Sequence, residues 1–176
     1  MSNIRILAVD QARHGGWAVY DYDNKELIDH GTFFVNPDLS FEDAIYQITN
    51  SIWMIICDYN VDAVFFEDTQ YQKNIDSFKK LCWLQGALIH MFKDKEMLYA
   101  IIPPSRWQGF CNARGRSSSE IKEKITKSED AKRKSKALTI EYVKEKFNID
   151  TTDDNLADAI CIGFYVVNNI VIQKGN

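Results

Sequence analysis

Ile4-Arg5-Ile6-Leu7-Ala8-Val9-Asp10 is a short, mostly apolar run with β-branched residues that closes on an acid. Consecutive apolar positions over so few residues predict a buried strand. Working outward, His14-Gly15-Gly16 is a turn, and Trp17 to Tyr22 predicts a second strand. Asp23-Asn24-Lys25 is a hairpin turn, and Leu27 to Val35 predicts a third strand that Asn36-Pro37-Asp38 breaks. Ser40 is placed to cap a helix from about Phe41 to Cys57, along which Ile45, Ile48, Ile52 and Ile55 recur at helical spacing.

Val61 to Glu67 repeats the opening pattern: a buried strand that again ends on an acid. A helix is expected from about Ile75 to Phe92, with Phe78, Leu81, Cys82, Gln85, Leu88 and Ile89 on one face. Leu98 to Ile102 predicts a fifth strand, stopped by Pro103-Pro104, and Ser105 is placed to cap a short helix through Trp107. Helices from about Ala131 to Phe147 and from about Asn155 to Val171 close the chain. Three meandering strands followed by strand–helix crossovers predict an α/β fold, a five-stranded mixed sheet with helices on both faces. With 176 residues, no linker and no internal repeat, residues 1–176 are expected to form a single domain.

No run of about 18 apolar residues is present, and the N-terminus lacks the apolar core of a signal peptide, so a cytoplasmic protein with no membrane partner is expected. Cys57, Cys82, Cys111 and Cys161 are widely spaced and form no CxxC pair, which excludes the usual zinc patterns and predicts buried free thiols. The net charge of −4 conceals an asymmetry: from Cys111 to Lys136 nine basic residues face four acids. Local field governs attraction to phosphate, so a basic segment on an acidic body is compatible with a nucleic-acid partner. Gly115 and Ser117 to Ser119 mark residues at about 111–135 as a mobile loop.

The acids carry the chemistry. Asp10 and Glu67 end two central strands, and Asp154 and Asp158, four residues apart, can share one face of the last helix. Carboxylates gathered at one sheet edge cannot all stay ionised without a cation. Hard oxygen donors suit Mg²⁺, with Mn²⁺ as a substitute, and two such ions per site can activate water and grip a phosphodiester with no covalent intermediate. The plainer roles remain open at this point: a strand-terminal Asp also serves in turns, and Asp153 or Asp154 can simply cap a helix. Asp158 lies within Leu-Ala-Asp-Ala-Ile-Cys-Ile-Gly, where an apolar face buries and an acid needs a partner.

In order along the chain, these segments resemble the RuvC-type Holliday-junction resolvases, particularly the phage-encoded branch, from Ile4 to about Val167. The resemblance rests on Ile-Leu-Ala-Val-Asp10, Phe65-Phe66-Glu67, Lys73-Asn74-Ile75-Asp76-Ser77 with Lys80-Leu81 and Gln85-Gly86, Pro104-Ser105 before the basic loop, and Asn155-Leu156-Ala157-Asp158-Ala159. It implies an RNase H-like fold, a homodimer and paired symmetrical nicks across a four-way junction. Asp10, Glu67 and Asp158 match three of the family's four metal acids. The fourth position, usually Asp and sometimes His, is Asn155 here, with Asp154 as the substitute and Asp153 a weaker one.

Other departures concern DNA. The family's Pro-Gly-Ser after the first Asp is Gln11-Ala12-Arg13. The phenylalanine that enters the junction is replaced by Gln70 beside Tyr71, which brings flaps and forks into the range of branched DNA substrates. Gln108 replaces one family lysine, and Lys134 or Lys136 stands for another near the scissile phosphate. Arg106, Trp107, Arg114 and Arg116 combine charge with an aromatic for phosphate contact and base stacking. Lys73, Lys132 and Arg133 extend the expected DNA surface. His14, near Asp10, is the one histidine worth following.

The expectation is thus a structure-selective, Mg²⁺-dependent endodeoxyribonuclease, from a phage of a low-GC bacterium and acting in the host cytoplasm. The alternatives are a ribonuclease acting on RNA/DNA hybrids and a junction-binding protein that does not cut, the latter kept open by Asn155. A sugar-kinase or actin-type ATPase would need a second such domain and phosphate-binding glycine loops, which the sequence lacks.

Overall fold

The computed structural model describes residues 3–70, 74–115 and 128–172. Its five strands are β1 (Arg5–Asp10), β2 (His14–Asp21), β3 (Glu26–Phe34), β4 (Ala63–Glu67) and β5 (Leu98–Ile102). Five helices are described: α1 (Phe41–Tyr59), α2 (Ile75–Asp94), α3 (Pro104–Phe110), α4 (Ser128–Phe147) and α5 (Asp154–Asn169). The sheet runs in the order β3-β2-β1-β4-β5. β1 pairs antiparallel with β2 and parallel with β4, and β4 is parallel to β5, so the sheet is mixed.

Alternate residues of the central strands feed two cores. Ile6, Ala8, Tyr20 and Phe65 face α5 and Trp107, whereas Leu7, Val9, Val64 and Phe66 face α1 and α2. Because both faces are covered, the polar alternation of a half-exposed strand is missing, which is why β1 and β4 are apolar apart from their charged ends. Each fully buried Leu, Ile or Phe of these layers contributes about 1.5–3 kcal/mol relative to exposure. The Tyr20 hydroxyl donates to the Ile160 carbonyl at 2.8 Å and ties β2 to α5.

Ser40 caps α1 as the sequence predicts: its side chain accepts from the Asp43 amide. Four expectations are corrected. Ser105 does not cap α3; Pro103 holds that position, and no side chain bonds the exposed amides. The buried face of α2 is Leu84, Leu88 and Phe92, while Cys82 is exposed, because the helix packs roughly 60°, about a sixth of a turn, away from the face that apolar counting selects. Cys57 is likewise exposed, so only Cys111 and Cys161 are buried free thiols. Ser128 to Ser135, assigned to the basic loop from sequence, lie in the first two turns of α4. The mobility expected of residues 116–127 falls outside the described residues.

Candidate active site

The last paired rung between β1 and β4 is Val9 with Phe66, so Asp10 and Glu67 emerge side by side at the same sheet edge. Helix α5 begins against that edge. Gly16, the partner of Asp10 on β2, permits the approach: a Cβ there would lie 2.0 Å from the Asn155 carbonyl oxygen. The Asp153 side chain caps α5 by accepting from the amides of Asn155 and Leu156 at 3.0 and 3.2 Å. Asp154 therefore starts the helix, and Asp158 follows one turn later.

Asp10, Glu67 and Asp158 line one cleft of about 280 Å³, together with Gln11, Asp68, Gln70, Gln108, Lys132, Ser135 and Lys136. The carboxyls reflect their crowding. Burial, then the negative field of Asp154, raises Asp10 to about 7. Burial and the charge of Asp10 raise Glu67 to about 8, against a hydrogen bond from Trp107 that opposes the rise. Burial and the charges of Asp10 and Glu67 push Asp158 well above the usual range, although it shares a hydrogen bond with Thr139. Among the described residues, Asp158 Oδ1 is buried with no hydrogen-bond partner.

Helix α4 supplies the positive side. Its buried stripe, Ala131, Ser135, Thr139 and Val143, consists of small or short residues at four-residue intervals, so the helix seats closely. The Ser135 hydroxyl donates to the Ala113 carbonyl at 2.5 Å, and Thr139 donates to the Ser135 carbonyl at 2.8 Å. Lys136, beside this stripe, forms an ion pair with Asp154. Burial works against its charge, but the hydrogen bond and field of Asp154, with Asp158 and Asp10 beyond, outweigh it and raise the Lys136 pKa.

The two lysine candidates now separate. Lys136 lines the cleft; Lys134 is exposed, two residues and roughly 200° away around the helix. Asp154 is engaged by Lys136 and acts on Asp10 through its field, while Asn155 presents its backbone to Gly16. His14 reaches the site differently from a ligand: its Nε2 lies 2.7 Å from Asp153 Oδ2, bracing the cap of α5. Among the DNA candidates, Gln70 and Lys132 line the cleft, and Arg106, Arg114 and Arg133 are exposed nearby in the chain. Arg114 donates to the Ser105 carbonyl at 3.1 Å, and Arg133 lies 3.8 Å from Asp130. Tyr71, Lys73 and Arg116 lie outside the described residues.

Trp107 is a correction. Expected to stack on bases, it is fully buried, and its Nε1–H donates to Glu67 Oε1 at 2.9 Å. Pattern reasoning missed this, and it missed Ser135 and Thr139, although the spacing 132, 135, 136 and 139 is the signature of one helical face.

The donor set fits hard divalent cations: three carboxyls from distant segments converge, all three are raised by burial and by one another, and among the described residues Asp158 Oδ1 lacks a partner. The fit is one of chemistry and not of closed geometry. Among the described residues no three His, Cys, Asp or Glu side chains are close enough to chelate an ion as they stand. The Lys136 ammonium pairs with Asp154.

No family model matches the chain. A curated crossover junction endodeoxyribonuclease RuvC from Borrelia turicatae (strain 91E135) is 25% identical over 166 residues, covering 92% of this chain and 97% of that protein. The chain is similar to RuvC over nearly its whole length. The fold agrees: Thermus thermophilus RuvC in complex with Holliday junction substrate superposes with a TM-score of 0.64 at 15% identity, covering 92% of this chain and 91% of that one. Fowlpox virus resolvase, also in complex with Holliday junction DNA, gives 0.56 at 16% identity over 96% of this chain and 100% of its own. The five-stranded mixed sheet is thus the RNase H-like sheet of RuvC. Among the described residues no helix is long and apolar enough to cross a membrane.

Proposed function

We propose that this RuvC-like chain is a structure-selective DNA endonuclease that resolves Holliday junctions by metal-assisted phosphodiester hydrolysis. The observation that carries the reading is the convergence of Asp10, Glu67 and Asp158, from β1, β4 and α5, on one cleft walled by Lys132 and Lys136. A purely structural trio of acids would be dispersed or paired, since each buried carboxylate is destabilised by the others.

Asp10, Glu67, Asp158 and Asp154 would hold two Mg²⁺ or Mn²⁺ ions. When bound, such ions supply charge stabilisation to the scissile phosphate and lower the pKa of water. The chain's own groups do the rest. Trp107 fixes one oxygen of Glu67, Thr139 orients Asp158, and Ser135 seats α4. Lys136 carries a positive charge at the cleft, where it favours the extra negative charge that develops on a phosphate under attack. Gln70, Lys132 and Lys136 at the cleft, with Lys73, Arg106, Arg114, Arg116, Arg133 and Lys134 around it, form the proposed DNA surface, joined by Tyr71 as an aromatic.

Residues 1–176 act as one nuclease domain in this reading. The molecule works as a homodimer, because symmetrical nicks need two such sites, and it works in a bacterial cytoplasm as a phage-encoded enzyme.

The test is a panel of labelled four-way junction, flap, fork, RNA/DNA hybrid and linear duplex, each with Mg²⁺, Mn²⁺ or Ca²⁺ at one ionic strength. Junction cutting in Mg²⁺ and Mn²⁺ with the duplex left intact is the expected result. Preferential cutting of the hybrid would make the chain a ribonuclease. Tight junction binding with no product in any metal would make it a binding protein.

A further inference from the structure

Two side-chain oxygens are buried without a hydrogen-bond partner among the described residues: Oδ1 of Asp158 and Oε1 of Gln11. Both residues line the same cleft. Gln11 directly follows Asp10, and the residue is only 7% exposed. The direction of its amide is set by chemistry. Nε2 donates to the Glu67 carbonyl at 2.6 Å, and a carbonyl can only accept, so the NH₂ group belongs there and the oxygen is the end left over. The same bond bridges the β1 and β4 ends one step past the last backbone rung, Val9 with Phe66, and so holds Asp10 beside Glu67.

A buried amide oxygen without a donor is destabilising and calls for a compensating partner. No described donor reaches this oxygen, although Lys132, Ser135 and Lys136 line the same cleft as Asp10, Glu67 and Asp158, so in a cleft crowded with carboxyls a cation, or a water held by one, is the natural complement. A neutral oxygen also adds a ligand without adding charge to a site already crowded with acids.

Building on the nuclease reading, we propose that Gln11 is a neutral oxygen donor of the divalent-cation site, reaching the ion directly or through one water. Its amide thus has two jobs at opposite ends: Nε2 clamps the two acid-bearing strands, and Oε1 completes the ligand set.

The experiment is calorimetric titration of Mn²⁺ into the full chain without DNA, with the metal-free Tm as a second readout. Wild type is compared with Gln11→Met, Gln11→Glu and Asp10→Asn. Gln11→Met should raise the Mn²⁺ Kd roughly tenfold or more. Gln11→Glu should bind Mn²⁺ at least as tightly as wild type while lowering the metal-free Tm, because it restores an oxygen but adds repulsion. If Gln11→Met binds as wild type does while Asp10→Asn loses binding, the Gln11 proposal fails and the nuclease reading stands. If Asp10→Asn also binds as wild type does, or wild type takes up no Mn²⁺, both fail. Should Gln11→Met not fold, Gln11→Glu decides: wild-type affinity or better supports the role, and a tenfold loss overturns it.

Discussion

The indole N–H of the buried Trp107 donates to Oε1 of Glu67 at 2.9 Å, joining α3 to the acid that ends β4. This bond favours the ionised carboxylate against the burial that opposes it. Trp107→Phe keeps most of the packing and removes the donor. We expect the Mg²⁺ concentration for half-maximal junction cleavage to rise by about tenfold, with the protein still folded. An unchanged metal requirement would reduce Trp107 to a core residue.

Asp10→Asn removes a charged oxygen and leaves shape intact. If Asp10 holds metal, about 4 kcal/mol of transition-state stabilisation is at stake, a loss of roughly a thousandfold in cleavage rate. Junction binding measured in Ca²⁺ should survive better than cutting. Wild-type cleavage by this variant would remove Asp10 from the site.

The acids also predict an unusual dependence of stability on pH. Asp10 is raised from 3.8 to about 7 and Glu67 from 4.5 to about 8, so between these values the folded chain holds protons that the unfolded chain has released. Stability of the metal-free protein must then fall as pH rises from about 4 to about 8, and level off above. Thermal melts in chelator across that range should show the decline, Mn²⁺ should flatten it, and Asp10→Asn should raise the Tm at pH 8. A Tm that climbs over the same interval would contradict the crowding of these carboxyls.

Lys136 and Lys134 offer a comparison within one helix. Lys136→Met should lower single-turnover cleavage by about a hundredfold, as the loss of a group that favours transition-state charge does. Lys134→Met should change only DNA affinity and its salt slope, since an exposed lysine acts through phosphate attraction. Equal cleavage defects in the two variants would argue against Lys136 acting at the reaction centre.

Gly16 tests how closely α5 must approach the sheet. A methyl group there meets the Asn155 carbonyl, so Gly16→Ala should destabilise the fold by about 1–3 kcal/mol and weaken Mn²⁺ binding by displacing Asp154 and Asp158. Denaturant melts and the metal titration measure the two effects separately. Full stability with full metal affinity would show that the approach is looser than the geometry indicates.

Strand and helix identity was legible because β1, β4 and α1 carry short-range signals: apolar runs, a Ser40 cap, isoleucines at helical spacing. The acids Asp10 and Glu67 were legible for the same reason, since each ends such a run. What was hidden concerns faces of helices whose apolar pattern is weak. Trp107 looks like a nucleic-acid aromatic beside Arg106, yet the angle of α3 turns it under Glu67. Cys82 looks like core and is exposed because α2 seats on Leu84, Leu88 and Phe92.

Sequence by itself marked the strands, the order of the elements and the acids Asp10 and Glu67 that end two of them, because apolar runs and their breaks act over a few residues and leave local marks. Tertiary structure alone decided that Lys136 and not Lys134 lines the cleft of those acids, that Trp107 braces Glu67, and that the Gln11 oxygen has no donor among the described residues. Those outcomes depend on how α3 and α4 are rotated against the sheet, and that rotation is fixed by packing between residues far apart in the chain.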